Sequence, residues 1–240
     1  MNPALNPVLN PALNPCWQRL PLTCADGLTN MALDEAIFQS VVVGESLPTL
    51  RFYTWERPTI SLGYHQRNYP PHWDTLRWNG QTQDDKVLDR VRRPTGGRAV
   101  LHQGDLTYAL IAPGFTASRS AAYEQICEFL IQGWRSLGVE LHYGSARRGY
   151  IQNPNCFATA TGADLVLDNG SKFIGSAQKR SGDVILQHGS MCLNPDNRLW
   201  RQVFETEAPE IPESVRCEGI SRIIEALSQS VTEVFGIRWA

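Results

Sequence analysis

Apolar residues recur every four positions at Leu33, Ile37 and Val41, the period of a helix with one buried stripe. Asn30 suits its N-cap and Gly44 its stop. Two runs rich in aromatic and branched residues, 50–55 and 59–63, predict strands divided by Glu56-Arg57-Pro58. Residues 68–84 are dense in Pro, Asn, Asp and Trp and predict a loop. Further strands are predicted over 87–93, 98–102 and 106–112, with tight connections at Pro94-Thr95-Gly96-Gly97 and Gln103-Gly104. A helix is predicted over 118–137, with Ile126, Leu130 and Leu137 inward and Gly138 ending it, and then a polar loop over 143–161. A three-strand meander over 163–168, 172–179 and 184–191 turns at Asn169-Gly170 and Ser181-Gly182-Asp183. The last helix, 218–235, turns Ile220, Ile224, Leu227, Val231 and Val234 inward. Antiparallel hairpins mixed with a few helices make this an α+β chain, with no internal boundary in 16–240.

The start reads differently. Four Asn-Pro dipeptides at a period of four fill residues 2–15, and proline both blocks helix and disfavours it in the residue before. Residues 1–15 are therefore expected to be a disordered or extended tail. With no basic residue before Arg19 and no continuous apolar segment, this start does not fit a secretory signal, and a cytoplasmic protein is expected.

At 42% hydrophobic and 19% charged, the 240 residues can bury a core. A formal net charge of −2 argues against binding nucleic acid through bulk charge. No stretch approaches the roughly 18 apolar residues of a membrane span. The six cysteines show no CxxC pairing, so they are expected as free thiols rather than a disulfide framework or metal site. Of 22 basic residues only Lys86, Lys172 and Lys179 are lysines, so a retained lysine is a candidate for a role that needs an amine.

Four segments could carry chemistry. In Arg92-Arg93-Pro94-Thr95-Gly96-Gly97-Arg98, two glycines let backbone approach a ligand while arginines flank it; an ordinary glycine turn with solvated arginines fits the same residues. No GxxxxGK[ST] loop is present, so P-loop nucleotide chemistry is not indicated. In Lys172-Phe173-Ile174-Gly175-Ser176-Ala177-Gln178, Gly175 and Ser176 interrupt a strand pattern, as happens where a ligand approaches closely. Taken locally, Lys172 reads as a surface lysine after a turn. His188, in Gln187-His188-Gly189-Ser190, reads as a structural histidine. Cys156 lies in a polar loop and would be nucleophilic only as a thiolate.

In their order and spacing, NMALDEA (30–36), RFYTWERPTISLGYHQ (51–66), RRPTGGRAVLH (92–102), LTYAL (106–110), NCF (155–157) and KFIGSAQKR with VILQHGSM (172–191) resemble the catalytic domain shared by biotin protein ligases, lipoate-protein ligases and octanoyltransferases. The resemblance implies a mixed, largely antiparallel sheet backed by helices, one catalytic domain over 16–240. ATP-using lipoate ligases typically carry a third glycine where this chain has Arg98, and generally lack a cysteine before the lysine strand. GGR and NCF instead look like the octanoyltransferases with a loop cysteine. Cys156 would then carry the acyl group as a thioester, with Cys192 as its one competitor, and Lys172 would be the pocket lysine. The acyl chain and substrates would lie near Arg93, Thr95, Gly96, Gly97, Arg98, His102, Gly175, Ser176, Ala177, Gln178, His188 and Gly189. By the same resemblance the donor is an octanoyl or lipoyl acyl-carrier protein, the acceptor a lysine of a lipoyl domain or glycine-cleavage H-type protein, and no cofactor is needed. The rival readings are a lipoate-protein ligase using ATP and Mg2+, a biotin ligase, and a binding module without turnover. Pro94 and Ala109 are small departures from the pattern, and the Asn-Pro tail has no counterpart in it.

Overall fold

The computed structural model describes residues 15–78, 86–144 and 164–240. Strands β1 (Cys16–Arg19) and β2 (Thr23–Ala25) precede helix α1 (Gly27–Val42), and β3 (Thr49–Trp55) and β4 (Thr59–Leu62) follow it. A single 3-10 turn (Pro71–Asp74) leads to β5 (Arg77–Trp78), β6 (Lys86–Val87), β7 (Asp89–Arg92), β8 (Val100–His102) and β9 (Asp105–Ala112). Helix α2 (Arg119–Ser136) comes before β10 (His142–Tyr143), β11 (Asp164–Val166), β12 (Lys172–Ser181) and β13 (Val184–Cys192). The chain closes with α3 (Asn197–Phe204), α4 (Glu213–Arg216), α5 (Ile220–Phe235) and β14 (Arg238–Trp239).

The main sheet runs β10-β11-β12-β13-β9-β3-β1-β14, with β2 also paired to β3. It is antiparallel from β10 to β3 and parallel at β1, β2 and β14, the mixed α+β sheet expected. A second sheet, β7-β4-β8, stands apart from it. Because strand side chains alternate, β3, β9 and β13 divide their residues between two buried faces. Leu50, Phe52, Leu106, Tyr108, Leu110 and Ile185 join the large core that includes α2 and α5. Tyr53, Ala109, Ile111, Val184 and Leu186 join the smaller core under α1.

Several expectations shift. Helix α1 is capped by Asp26, whose carboxylate accepts from Thr29 N at 2.8 Å, and not by Asn30. Asn30 is buried within the helix; its side-chain amide donates to Ala25 O and Thr54 O, joining the helix to β2 and β3. The buried stripe of α1 is Met31, Asp34, Ile37, Phe38 and Val41, while Leu33 only flanks it. In α5 the inward face is Ile223, Leu227, Val231 and Phe235, rotated from the expected one. Ile220 is exposed there, and Phe235 stacks on Trp17 at 5.4 Å. Trp73, in the span read as loop, is 1% exposed and donates its indole N–H to Val203 O at 2.7 Å. A Pro- and Asn-rich segment can turn often and still bury an aromatic anchor. The expected Asn-Pro tail and the polar loop up to residue 161 lie largely outside the described residues. Among the described residues, no helix is long and apolar enough to cross a membrane.

Candidate active site

The small sheet sits over the main one and a pocket opens between them. Ser61 from β4, Arg93, Gly97, Val100 and His102 form one wall. Tyr53, Trp55 and Thr107, with Gly175–Ala177 of β12 and His188–Ser190 of β13, form the other; Met31 and Asp164 complete the lining. The cavity between them is a narrow, partly open cleft of about 60 Å3.

Glycine shapes both walls where side chains would intrude. A β-carbon on Gly175 would lie 3.0 Å from Lys172 Cε, and one on Gly189 would strike the Ser176 hydroxyl and the Tyr108 ring. On the opposite wall Gly97 takes φ +91°, a region that disfavours side chains. Gly63 packs so tightly under it that a β-carbon there would overlap Gly97 O.

Lys172 is 4% exposed and its ammonium reaches Asp164 Oδ1 at 2.7 Å. The local expectation of a surface lysine is therefore corrected. The Asn169-Gly170 turn does form, but β12 carries Lys172 inward beside β11, not into solvent. Such a pair keeps a cation oriented inside the protein at a desolvation cost, which favours a placed charge over simple stability.

Arg93 braces the turn that follows it. Its guanidinium donates to Ser61 O at 2.9 Å, Gly96 O at 2.7 Å and Arg98 O at 2.7 Å, so it ties the Thr95–Arg98 turn to β4. Arg92 likewise spends its side chain on Gly63 O and Gln66 O, each at 2.8 Å.

Two acid–histidine–hydroxyl chains enter the site. In one, Asp34 Oδ2 pairs with His188 Nδ1 at 2.8 Å, and His188 Nε2 meets Thr95 Oγ1 at 2.6 Å. Asp34 also takes Arg51 at 2.7 Å and the Tyr53 hydroxyl at 2.9 Å. Burial and the Asp34 charge push the Tyr53 phenol well up, so it stays protonated as a donor. In the other chain, Asp105 Oδ2 pairs with His102 Nδ1 at 2.8 Å, and His102 Nε2 meets Ser61 Oγ at 2.8 Å. Trp55 stacks on the His102 ring with centroids 3.8 Å apart. Burial pushes His102 below the ordinary histidine range even though Asp105 opposes the shift.

Of the residues singled out from sequence, Arg93, Gly97, His102, Gly175, Ser176, Ala177, His188 and Gly189 line the pocket, and Lys172 stands behind Asp164 and Gly175. Thr95 holds His188 and is not itself part of the lining. Gly96 and Arg98 serve the turn through their carbonyls, and Gln178 donates to Gln187 Oε1 at 2.7 Å on β13. Cys156 lies outside the described residues. Its competitor Cys192 is buried, and burial raises its thiol pKa, which leaves little thiolate to react. Asp34, Arg51, Ser61, Asp105 and Asp164 were missed by sequence reasoning. A charged residue breaking an apolar stripe, as Asp34 does in α1 and Arg51 in β3, is the signal that could have found two of them.

Residues 26–236 match the family model described as lipoyl protein ligase A/B catalytic domain. The octanoyltransferase LipM of Kyrpidia tusciae is 34% identical, over 92% of this chain and 88% of that protein. The octanoyltransferase LipM of Clostridioides difficile is 36% identical, over 82% of this chain and 73% of its own length. Among solved structures, a lipoate-protein ligase A bound with ATP superposes with a TM-score of 0.69 at 22% identity, covering 94% of this chain and 87% of that one. A bi-partite lipoate protein ligase from Thermoplasma acidophilum superposes with a TM-score of 0.65 at 21% identity, covering 93% and 86%.

Proposed function

The chain belongs to the lipoyl protein ligase A/B catalytic-domain family, and from that premise we propose that it is an octanoyltransferase that works through a thioester on Cys156. The octanoyl group arrives as the thioester of an acyl-carrier protein. Cys156 thiolate attacks its carbonyl carbon and the carrier thiol leaves, so one thioester replaces another. The lysine amine of a lipoyl domain or H-type protein then forms the amide and releases the Cys156 sulfur. Amides are more stable than thioesters, so the second step runs downhill without ATP, and the cycle uses no cofactor or metal.

The observation that carries this reading is the Lys172–Asp164 pair, a buried ammonium held at 2.7 Å beside the glycine-shaped wall of the pocket. A fixed cation there hydrogen-bonds the acyl carbonyl oxygen as it becomes an oxyanion, and favours thiolate at a neighbouring cysteine. The segment bearing Cys156 runs along the chain directly into Asp164. The names of the relatives support the octanoyl group, and Arg98 in place of a third glycine supports an ATP-independent route.

The test is intact mass of wild type and Cys156→Ser after incubation with octanoyl-carrier protein in nucleotide-free buffer. Wild type should gain one hydroxylamine-sensitive octanoyl group and pass it to an apo lipoyl domain, while Cys156→Ser gains none. Product that forms only from free acid with ATP would replace this reading with the ligase one.

A further inference from the structure

The acceptor lysine, an ammonium with an ordinary pKa of about 10.4, sheds two protons on becoming an amide nitrogen: the first to solvent before attack, the second as the amide forms, and this second proton needs a base at the site. Lys172 is held in an ion pair with Asp164, and Arg93 is bound to carbonyls, so neither is suited to accept it. The two histidine chains differ in where they end. The Asp34 chain ends on Thr95, a turn hydroxyl outside the pocket lining, and Asp34 is neutralised by Arg51 at 2.7 Å. The Asp105 chain ends on Ser61, which lines the pocket. Among the described residues Asp105 accepts from Thr107 at 3.2 Å and Ser190 at 2.6 Å beside His102, with no guanidinium or ammonium. Its charge is therefore free to stabilise a positive imidazole.

Resting on the octanoyltransferase reading, we propose that Ser61, His102 and Asp105 form a proton relay that takes the acceptor lysine's proton during amide formation. His102 donates Nδ1–H to Asp105, which leaves the Nε2 lone pair to accept the Ser61 hydroxyl. Arg93 donates to the same Ser61 oxygen at 3.2 Å and keeps it oriented. The ammonium gives its first proton to solvent; as the free amine nitrogen bonds to the acyl carbon, the second proton passes to Ser61 Oγ and the Ser61 proton passes to His102 Nε2. The C–S bond breaks, and the sulfur leaves as thiolate. His102 then returns its proton through Ser61 to that sulfur, so every atom and charge is restored. The groups facing His102 are Asp105, which favours the imidazolium, and Arg93 and His188, which oppose it; Trp55 covers the ring. Burial keeps the imidazole neutral and ready to accept near pH 7.

The experiment follows octanoyl transfer to an apo lipoyl domain from pH 6 to 10 at saturating donor, alongside acyl-enzyme formation without acceptor. Wild type should rise with the fraction of free amine and level off toward pH 10. His102→Gln and Ser61→Ala should be slower by roughly 100-fold at pH 7, the scale of general base catalysis. Their deficit relative to wild type should shrink by up to about tenfold per pH unit as hydroxide takes the place of the relay as base. Ser61→Thr retains the hydroxyl and should recover most of the rate at pH 7. Acyl-enzyme formation should fall far less than transfer in every variant. A deficit of the same size at every pH, or full activity of Ser61→Ala at pH 7, would overturn the relay. Failure of wild type to acylate the acceptor at all would instead remove the functional reading beneath it.

Discussion

The sheet face under α2 and α5 and the face under α1 are both buried, but they are filled differently. The first is packed by Phe129, Leu130, Ile223 and Leu227 with Leu50, Phe52, Leu110 and Ile185, all within one apolar cluster. The second starts the same way, with Ile37, Phe38 and Val41 over Ile111, Val184 and Leu186. Farther along it gives way to Asp34, Arg51, His188, Asp105 and His102, each no more than 8% exposed. Dispersion and hydrophobic burial are non-directional, so the apolar face needs volume and shape. Buried charges need specific partners at specific distances, so the polar face fixes geometry and is costly to leave half-satisfied. The site lies on the face that holds atoms in place.

The largest expected effect comes from breaking the polar face. Asp34→Ala would leave the Arg51 guanidinium buried without its counter-ion and His188 without its acceptor. A loss of about 3–5 kcal/mol is expected, measured by urea unfolding. Leu130→Ala on the apolar face should cost a comparable 2–5 kcal/mol or so, yet leave transfer per folded molecule near wild type. If Asp34→Ala, like Leu130→Ala, left transfer per folded molecule near wild type, the distinction between the faces would fail. A smaller effect, confined to rate, is expected at Lys172. Lys172→Arg keeps the charge but not the compact ammonium, and should fold while transferring acyl groups at least ~10-fold more slowly. Lys179→Arg, where the native amine pairs with Glu35 at 2.6 Å at a half-exposed site, is the silent control.

The smallest effect is in the pH dependence of stability. His102 has its pKa lowered on folding from the unfolded value of 6.5. In acid the unfolded chain therefore takes up the proton more readily than the folded one. The contribution is intact above pH 6.5 and is lost as pH falls through the folded pKa. Unfolding free energies at pH 7 and pH 5.5 should show this decline, and His102→Gln should flatten it. An unchanged slope would place the main acid-sensitive group elsewhere.

Much of the architecture was written locally. The strand pairs around Asn169-Gly170 and Gly182, the α2 stripe through Ile126 and Leu130, and the alternation of β9 follow from turn chemistry and periodicity. The order of the motifs was likewise enough to point to the family that residues 26–236 match. Other features depend on contacts far apart along the chain. Nothing near Lys172 in the sequence says that Asp164 will meet it across the β11–β12 pair, or that β4 and β8 will bring Ser61 to His102 from 41 positions away. Asp34 reaches His188 across 154 positions. Periodicity records which face of an element is buried, because that depends on near neighbours. Which polar group meets which depends on sheet order and register, so Ile37 and Val41 of the α1 stripe came from the sequence, and the place of Asp34 in it and its pairing with Arg51 and His188 only from the tertiary structure.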